Sequence, residues 1–152
     1  HLEIGYNYRM NNLSAAIGLA QLEQLDSNVQ SRRLVNKRYR TLLKDFPGIE
    51  FQNESPHSFS NFWLTAILID IGKTGFSNVQ LKTALMNKGV ESRFLWKPLH
   101  TQPVFSSSPY YGDAISENFF EAGLCLPSSA DLKEEDQELI VEIMYNELSK
   151  NN

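Results

Sequence analysis

"FWLTAILIDI" occupies residues 62–71 and is apolar at nearly every position. It is rich in isoleucine and aromatic residues, with Ser60-Asn61 before it and Gly72-Lys73-Thr74-Gly75 after it. Apolar side chains at successive positions, rather than alternate ones, predict a strand buried on both faces. Such a strand needs cover above and below. The flanking sequence supplies it as helices.

Upstream, Asn11 or Asn12 can cap a helix by accepting an orphan backbone N–H. Leu13, Ile17 and Ala20, then Leu22, Leu25 and Val29, then Val35, Tyr39, Leu42 and Phe46 recur at three- and four-residue steps. Pro47-Gly48 ends the pattern. Some 35 residues of helix would run roughly 50 Å, with a bend expected where the phase drifts at Asp26-Ser27-Asn28. Ala15, Ala16, Gly18 and Ala20 predict a face that another backbone approaches closely. The basic run "SRRLVNKRYR" (31–40) surrounds an apolar stripe and reads as a solvated outer face.

Downstream, Ser77 should cap a short helix with Val79, Leu81, Ala84 and Leu85 inward and Gly89 as its stop. "VESRFLW" (90–96) is a second strand candidate. Pro98, Pro103 and Pro109 mark a loop, residues 113–122 a helix ended by Gly123, and "LCL" (124–126) a third strand. A last helix carries Leu139, Ile140, Ile143 and Leu148 and should fray at Asn151-Asn152. The expectation is one α/β (α+β) sandwich over residues 1–152: a long N-terminal helix and a small, mostly antiparallel sheet of about three strands, covered by helices.

Composition narrows the function classes. A formal net charge of −4 argues against a nucleic-acid partner, which needs clustered positive charge. The lone cysteine, Cys125, cannot form an intrachain disulfide; it reads as a small buried hydrophobe in a reduced, cytoplasmic compartment. No apolar run approaches the ~20 residues of a membrane span, and no signal peptide is visible. The first residue is His1 rather than Met, so a longer parent chain is expected. His1, His57 and His100 have no metal-ligand spacing, and neither a P-loop nor a GxGxxG occurs. "KEEDQE" (133–138) places acids at a helix start, where they suit the dipole.

Two stretches call for a binding role. "GYNYRMNN" (5–12) precedes the first helix, and "ESRFLWKPLHTQP" (91–103) sets Arg93, Trp96, Lys97, His100 and Gln102 around a strand end and a rigid turn. Together with "SAAIGLAQLEQLD" after the first stretch and "EAGLCLPSSADLKEEDQELI" near the C-terminus, they closely resemble the DegT/DnrJ/StrS family of PLP-dependent nucleotide-sugar aminotransferases. Three blocks match in the family's order. Phe94 stands where proline is common, and Lys133 where Ser or Thr often caps the last helix, a change that costs about 1 kcal/mol.

The resemblance implies the C-terminal small domain of a fold type I enzyme, with the large domain and its Schiff-base lysine upstream of His1. It implies that the parent takes an amino group from glutamate and passes it to a nucleotide-linked keto-sugar, as a homodimer. Pyridoxal 5'-phosphate would be the parent's cofactor, not bound by this chain alone. Asn7 corresponds to the asparagine that reaches the PLP phosphate of the neighbouring subunit, with Tyr6 and Tyr8 beside it. A turn asparagine bonded to its own backbone is the alternative. His100, Arg9, Arg93 and Lys97 are candidate substrate contacts, with structural ion pairs as the alternative for the cations and packing as that for Trp96. Two rival functions stay open: a PMP-dependent sugar dehydratase of the same family, and a non-catalytic α/β interaction module.

Overall fold

In a computed structural model, which describes residues 2–150, the chain forms a four-stranded antiparallel sheet between two unequal helical layers. The strands are β1 (Ile49–Phe51), β2 (Thr65–Ile69), β3 (Arg93–Phe94) and β4 (Gly123–Leu126), in the order β1-β2-β4-β3. The helices are α1 (Asn12–Glu23), α2 (Leu25–Leu42), α3 (Ile71–Thr74), α4 (Asn78–Asn87), α5 (Ile115–Ala122) and α6 (Glu134–Ser149). The expected fraying at Asn151-Asn152 lies outside the described residues.

The central strand is shorter than its apolar run. Phe62, Trp63 and Leu64 precede it and Ile71 opens a helical turn, so only Thr65–Ile69 pairs. Its burial alternates: Thr65, Ile67 and Ile69 are buried, Ala66 and Leu68 half-buried. The first set meets Val35 and Tyr39 of α2, Leu81 and Leu85 of α4, and Ile140 and Met144 of α6 in the main core. The second set faces a smaller apolar cavity, about 330 Å³, with Phe51, Leu95 and Phe119. The run is apolar because both faces are covered, but the covers differ in depth.

Four strands replace the expected three. β1 is only three residues long and follows Pro47-Gly48 directly, too short to show a period. β3 is cut to two residues at the sheet edge. The N-terminal helix is two helices. The break falls at Gln24, two residues before the expected bend, where φ −103° and ψ 3° end one helix and start the next.

α1 buries no residue against the rest of the chain. The close-packed face expected at Ala15, Ala16, Gly18 and Ala20 is therefore not made within this polypeptide: a Cβ built at Gly18 meets nothing within 4 Å. Val79, expected inward, is 57% exposed, and Leu139 of the last helix's apolar set is 46% exposed. Leu81, Leu85, Ile140 and Ile143 are buried as expected. Ser77 caps α4 in a reciprocal pair with Gln80, and Gly89 follows it at φ 77°. α6 starts at Lys133 with no side-chain cap, and Glu134, Glu135 and Asp136 fill its first turn.

The basic run of α2 is not a solvated face. Arg33 grips both carboxylate oxygens of Glu54 (2.9 and 3.0 Å), donates to the Ser60 carbonyl, and lies over the rings of Phe59 and Phe62. The guanidinium holds the Glu54 carboxyl down at about 2. Arg40 donates to Asn36 and the Gln52 carbonyl, and Arg38 pairs with Glu134 and Glu138 of α6. The charges serve the loop at 52–64 and the last helix, whose sequence distance hid the pairing. Cys125 is buried as expected, and burial pushes its thiol pKa up. No described helix is long and apolar enough to cross a membrane.

Candidate functional site

The proline loop after β3 folds into two short 3-10 turns, Leu99–Thr101 and Pro103–Phe105, and presents His100. Thr101 Oγ1 donates to the Pro98 carbonyl at 2.8 Å and fixes the first turn. The His100 Nε2 lies 2.7 Å from Glu117 Oε1 on α5, and Tyr110 stacks on the imidazole at 3.9 Å with a 21° tilt. The Tyr110 hydroxyl is anchored on the Asp113 carbonyl at 2.6 Å. His100 is thus gripped at one nitrogen and one face; Nδ1 is the ring position left for another group. Glu117 Oε2 is buried without a hydrogen-bond partner. Neither Glu117 nor Tyr110 was evident from the sequence: Tyr110 closes the proline loop and Glu117 lies on the helix after it, at separations from His100 that follow no helical or strand period.

What lets α5 close over this side of the sheet is Gly123. A Cβ there would lie 2.2 Å from Leu95 Cδ1 and 2.3 Å from the Phe119 carbonyl oxygen, closer than atoms can pack. Asn78 of α4 donates to the Gly123 carbonyl at 3.1 Å and ties the junction to the main core.

Asn7 and Arg9 belong to an extended, exposed segment ahead of α1. Asn7 Oδ1 accepts the Arg9 backbone N–H at 3.0 Å, the local turn given as the alternative for this residue. That bond uses the acceptor end of the amide of an exposed residue and leaves the donor end, Nδ2, to other groups. The rings of Tyr6 and Tyr8 sit 6.0 Å apart beside it. A shallow concavity is lined by residues 3–9 alone.

Arg93 is engaged with its neighbour: Nε and Nη2 donate to Glu91 Oε1 at 3.0 and 2.8 Å, both side chains largely exposed. Lys97 is exposed on the loop before His100. Trp96 is 68% exposed, so the packing given as its alternative is not made within this chain. No hydrogen bond or ion pair among the described residues joins the Asn7–Arg9 segment to the His100 loop. The candidate site consists of two separate surfaces, both facing solvent. No group of three or more described His, Cys, Asp or Glu residues could hold a metal.

The family model described as the DegT/DnrJ/EryC1/StrS aminotransferase family matches residues 1–145. This chain belongs to that family. EpsN of Bacillus subtilis (strain 168), whose name carries the term pyridoxal phosphate-dependent aminotransferase, is 39% identical over 150 residues, covering 96% of this chain and 38% of its own length. The GDP-perosamine synthase of Escherichia coli O157:H7 is 36% identical over 135 residues, covering 89% of this chain and 35% of the relative. Among solved structures, the aminotransferase PseC of Helicobacter pylori superposes with a TM-score of 0.83 at 23% identity, covering 97% of this chain and 40% of that one. That likeness shows the fold, which is the aminotransferase fold expected for these blocks. The chain spans somewhat more than a third of the length of the relatives it matches.

Proposed function

We propose that residues 1–152 form one folding unit, the C-terminal part of a PLP-dependent aminotransferase. It acts on a nucleotide-linked keto-sugar with glutamate as amino donor, in the cytoplasm. The observation that carries this reading is the separation of its parts. The family's polar blocks are present in order, yet both candidate surfaces are open to solvent and neither encloses a substrate. A second polypeptide surface must complete them.

Pyridoxal phosphate, when bound, supplies the electron sink that makes an amino group transferable. Two features of this chain bear on where it would sit. None of the eight lysines is buried, whereas a lysine that reacts as an amine is usually desolvated to lower its pKa. The lysine that joins the cofactor therefore belongs to another part of the enzyme. The Asn7 amide, with its oxygen already taken, offers an N–H donor that suits a phosphate oxygen and adds no charge. We assign Asn7 to the cofactor phosphate of the partner subunit in a homodimer.

The remaining residues orient the sugar nucleotide. Glu117 and Tyr110 hold the His100 ring so that Nδ1 can meet a polar group of substrate or cofactor. Arg9, Arg93 and Lys97 are exposed cations suited to phosphate or carboxylate oxygens; Arg93 would exchange its Glu91 contact for a diphosphate.

The test uses the longer gene product purified with added PLP. Transfer of 15N from labelled glutamate to a nucleotide-linked keto-sugar, read by mass spectrometry, is expected. A polypeptide that binds PLP but releases a dehydrated sugar without nitrogen would favour the dehydratase reading instead.

A further inference from the structure

We infer that the groove between Trp63 and Trp96 is the subsite for the aromatic base of a nucleotide. This rests on the nucleotide-sugar reading above and locates one part of that substrate.

The groove encloses about 410 Å³ and runs along the end of β3 and β4, with Trp63, Ser92, Arg93, Trp96, Cys125 and Ser128 among its walls. These are the two tryptophans of the whole sequence. They are 61% and 68% exposed. Large indole faces left to water beside one cleft mark a surface that stacks on something flat.

Ser92 points to a ligand independently. It is 5% exposed, and its Oγ has no hydrogen-bond partner. Buried hydroxyls are normally satisfied. The oxygen itself is covered, so Ser92 meets a ligand by turning about its χ1 bond toward the groove it lines, where a hydroxyl can either donate to a base carbonyl or accept from a base amino group.

The groove is also built rigidly. Arg32 of α2 donates to the Trp63 carbonyl at 2.8 Å and the Ser128 carbonyl at 3.1 Å, clamping the two rims together. Ser128 Oγ accepts the Thr65 N–H at 2.8 Å and donates to the Leu126 carbonyl at 2.7 Å. Phe62, just before Trp63, sits at φ 44°, a conformation that a bulky residue rarely adopts, with the Arg33 guanidinium over its ring. Glu91 also lines the groove and pairs with Arg93, so a base seated between the indoles would carry a diphosphate that takes the guanidinium over from that carboxylate. A bare anion site would not need the indoles, and a saccharide would not by itself use the guanidinium.

Because both fluorophores line the groove, tryptophan fluorescence of the 152-residue chain reads it directly. Titration with UDP, GDP and dTDP should give saturable quenching by at least one of them, with half-saturation below about 1 mM. Inorganic pyrophosphate and N-acetylglucosamine should leave the signal unchanged. Trp96→Leu and Ser92→Ala, followed by calorimetry, should each weaken that nucleotide about tenfold. Trp96 is exposed, so its replacement leaves the fold intact. No saturable response to any of the three diphosphates overturns the proposal, as does competition by pyrophosphate or the saccharide as potent as the nucleotide's own binding, or unaltered affinity in Trp96→Leu. If the longer enzyme transfers nitrogen while the diphosphates leave the tryptophans silent, the subsite falls and the aminotransferase reading stands. If the diphosphates quench but no transfer occurs, the subsite stands and that reading falls.

Discussion

Glu54 shows how much one residue's setting matters. Its carboxylate is held by Arg33 and the Ser60 N–H, which keeps its pKa at about 2 against an ordinary 4.5. A pKa lower in the folded than the unfolded state gives stability that is complete above pH 4.5 and is lost as pH falls toward 2. Urea unfolding midpoints measured across that window should fall steeply for the native chain and less steeply for Glu54→Gln. Equal slopes would deny the pair a role in acid stability. At His100 the expected effect is functional: His100→Ala should lower kcat of the longer enzyme by about a hundredfold, with circular dichroism and Tm unaltered. Glu117→Gln keeps a hydrogen-bond acceptor and should cost less than Glu117→Ala. A Tm fall without loss of turnover would make the cluster structural. Asn7→Ala should speed loss of cofactor on dialysis, read by the absorbance that stays with the protein. His100 and Asn7 stand out as candidates in the sequence because they sit in recognisable blocks. It hid Glu117, which becomes a partner only when α5 folds back on the proline loop, and Tyr110, which becomes one only when that loop closes on itself.

At the level of elements, local signals were legible where they are self-contained. Ser77 reads as a helix cap from the sequence alone and is one, in a reciprocal box with Gln80 that the structure adds. The uncapped start of α6 at Lys133 was equally visible. Lys133→Ser should therefore stabilise the chain by about 1 kcal/mol, and Ser77→Ala should destabilise it by a similar amount, both measurable as shifts of the urea midpoint. What the sequence hid depends on distant partners. Arg32 and Arg33 look like solvent charges on an amphipathic helix until the 52–64 loop folds over them. β1 and β3 are too brief to carry a period and exist because β2 and β4 offer free edges. Gly123 reads as a helix stop, but its stricter duty is steric. Gly123→Ala should cost several kcal/mol, since Leu95 and the Phe119 backbone would both have to move; an unaltered Tm would contradict that packing.

For the whole molecule, the open question is what covers the apolar surface of α1 and the segment before it. Leu13, Ile17, Leu19 and Leu22 are all more than half exposed, as are Tyr6, Tyr8 and Met10. The isolated chain should bind a hydrophobic dye and self-associate, and Leu13→Gln with Ile17→Gln should reduce both; a monomer indifferent to the dye would show that this surface needs no cover. The account as a whole holds that this chain is one wall of a shared cleft and that the reactive amine lies elsewhere. The direct measurement is borohydride reduction of the longer gene product with PLP, followed by peptide mapping of the trapped adduct. The account predicts a single modified lysine outside residues 1–152. A label on any of the eight lysines within this chain, or no label at all, would contradict it.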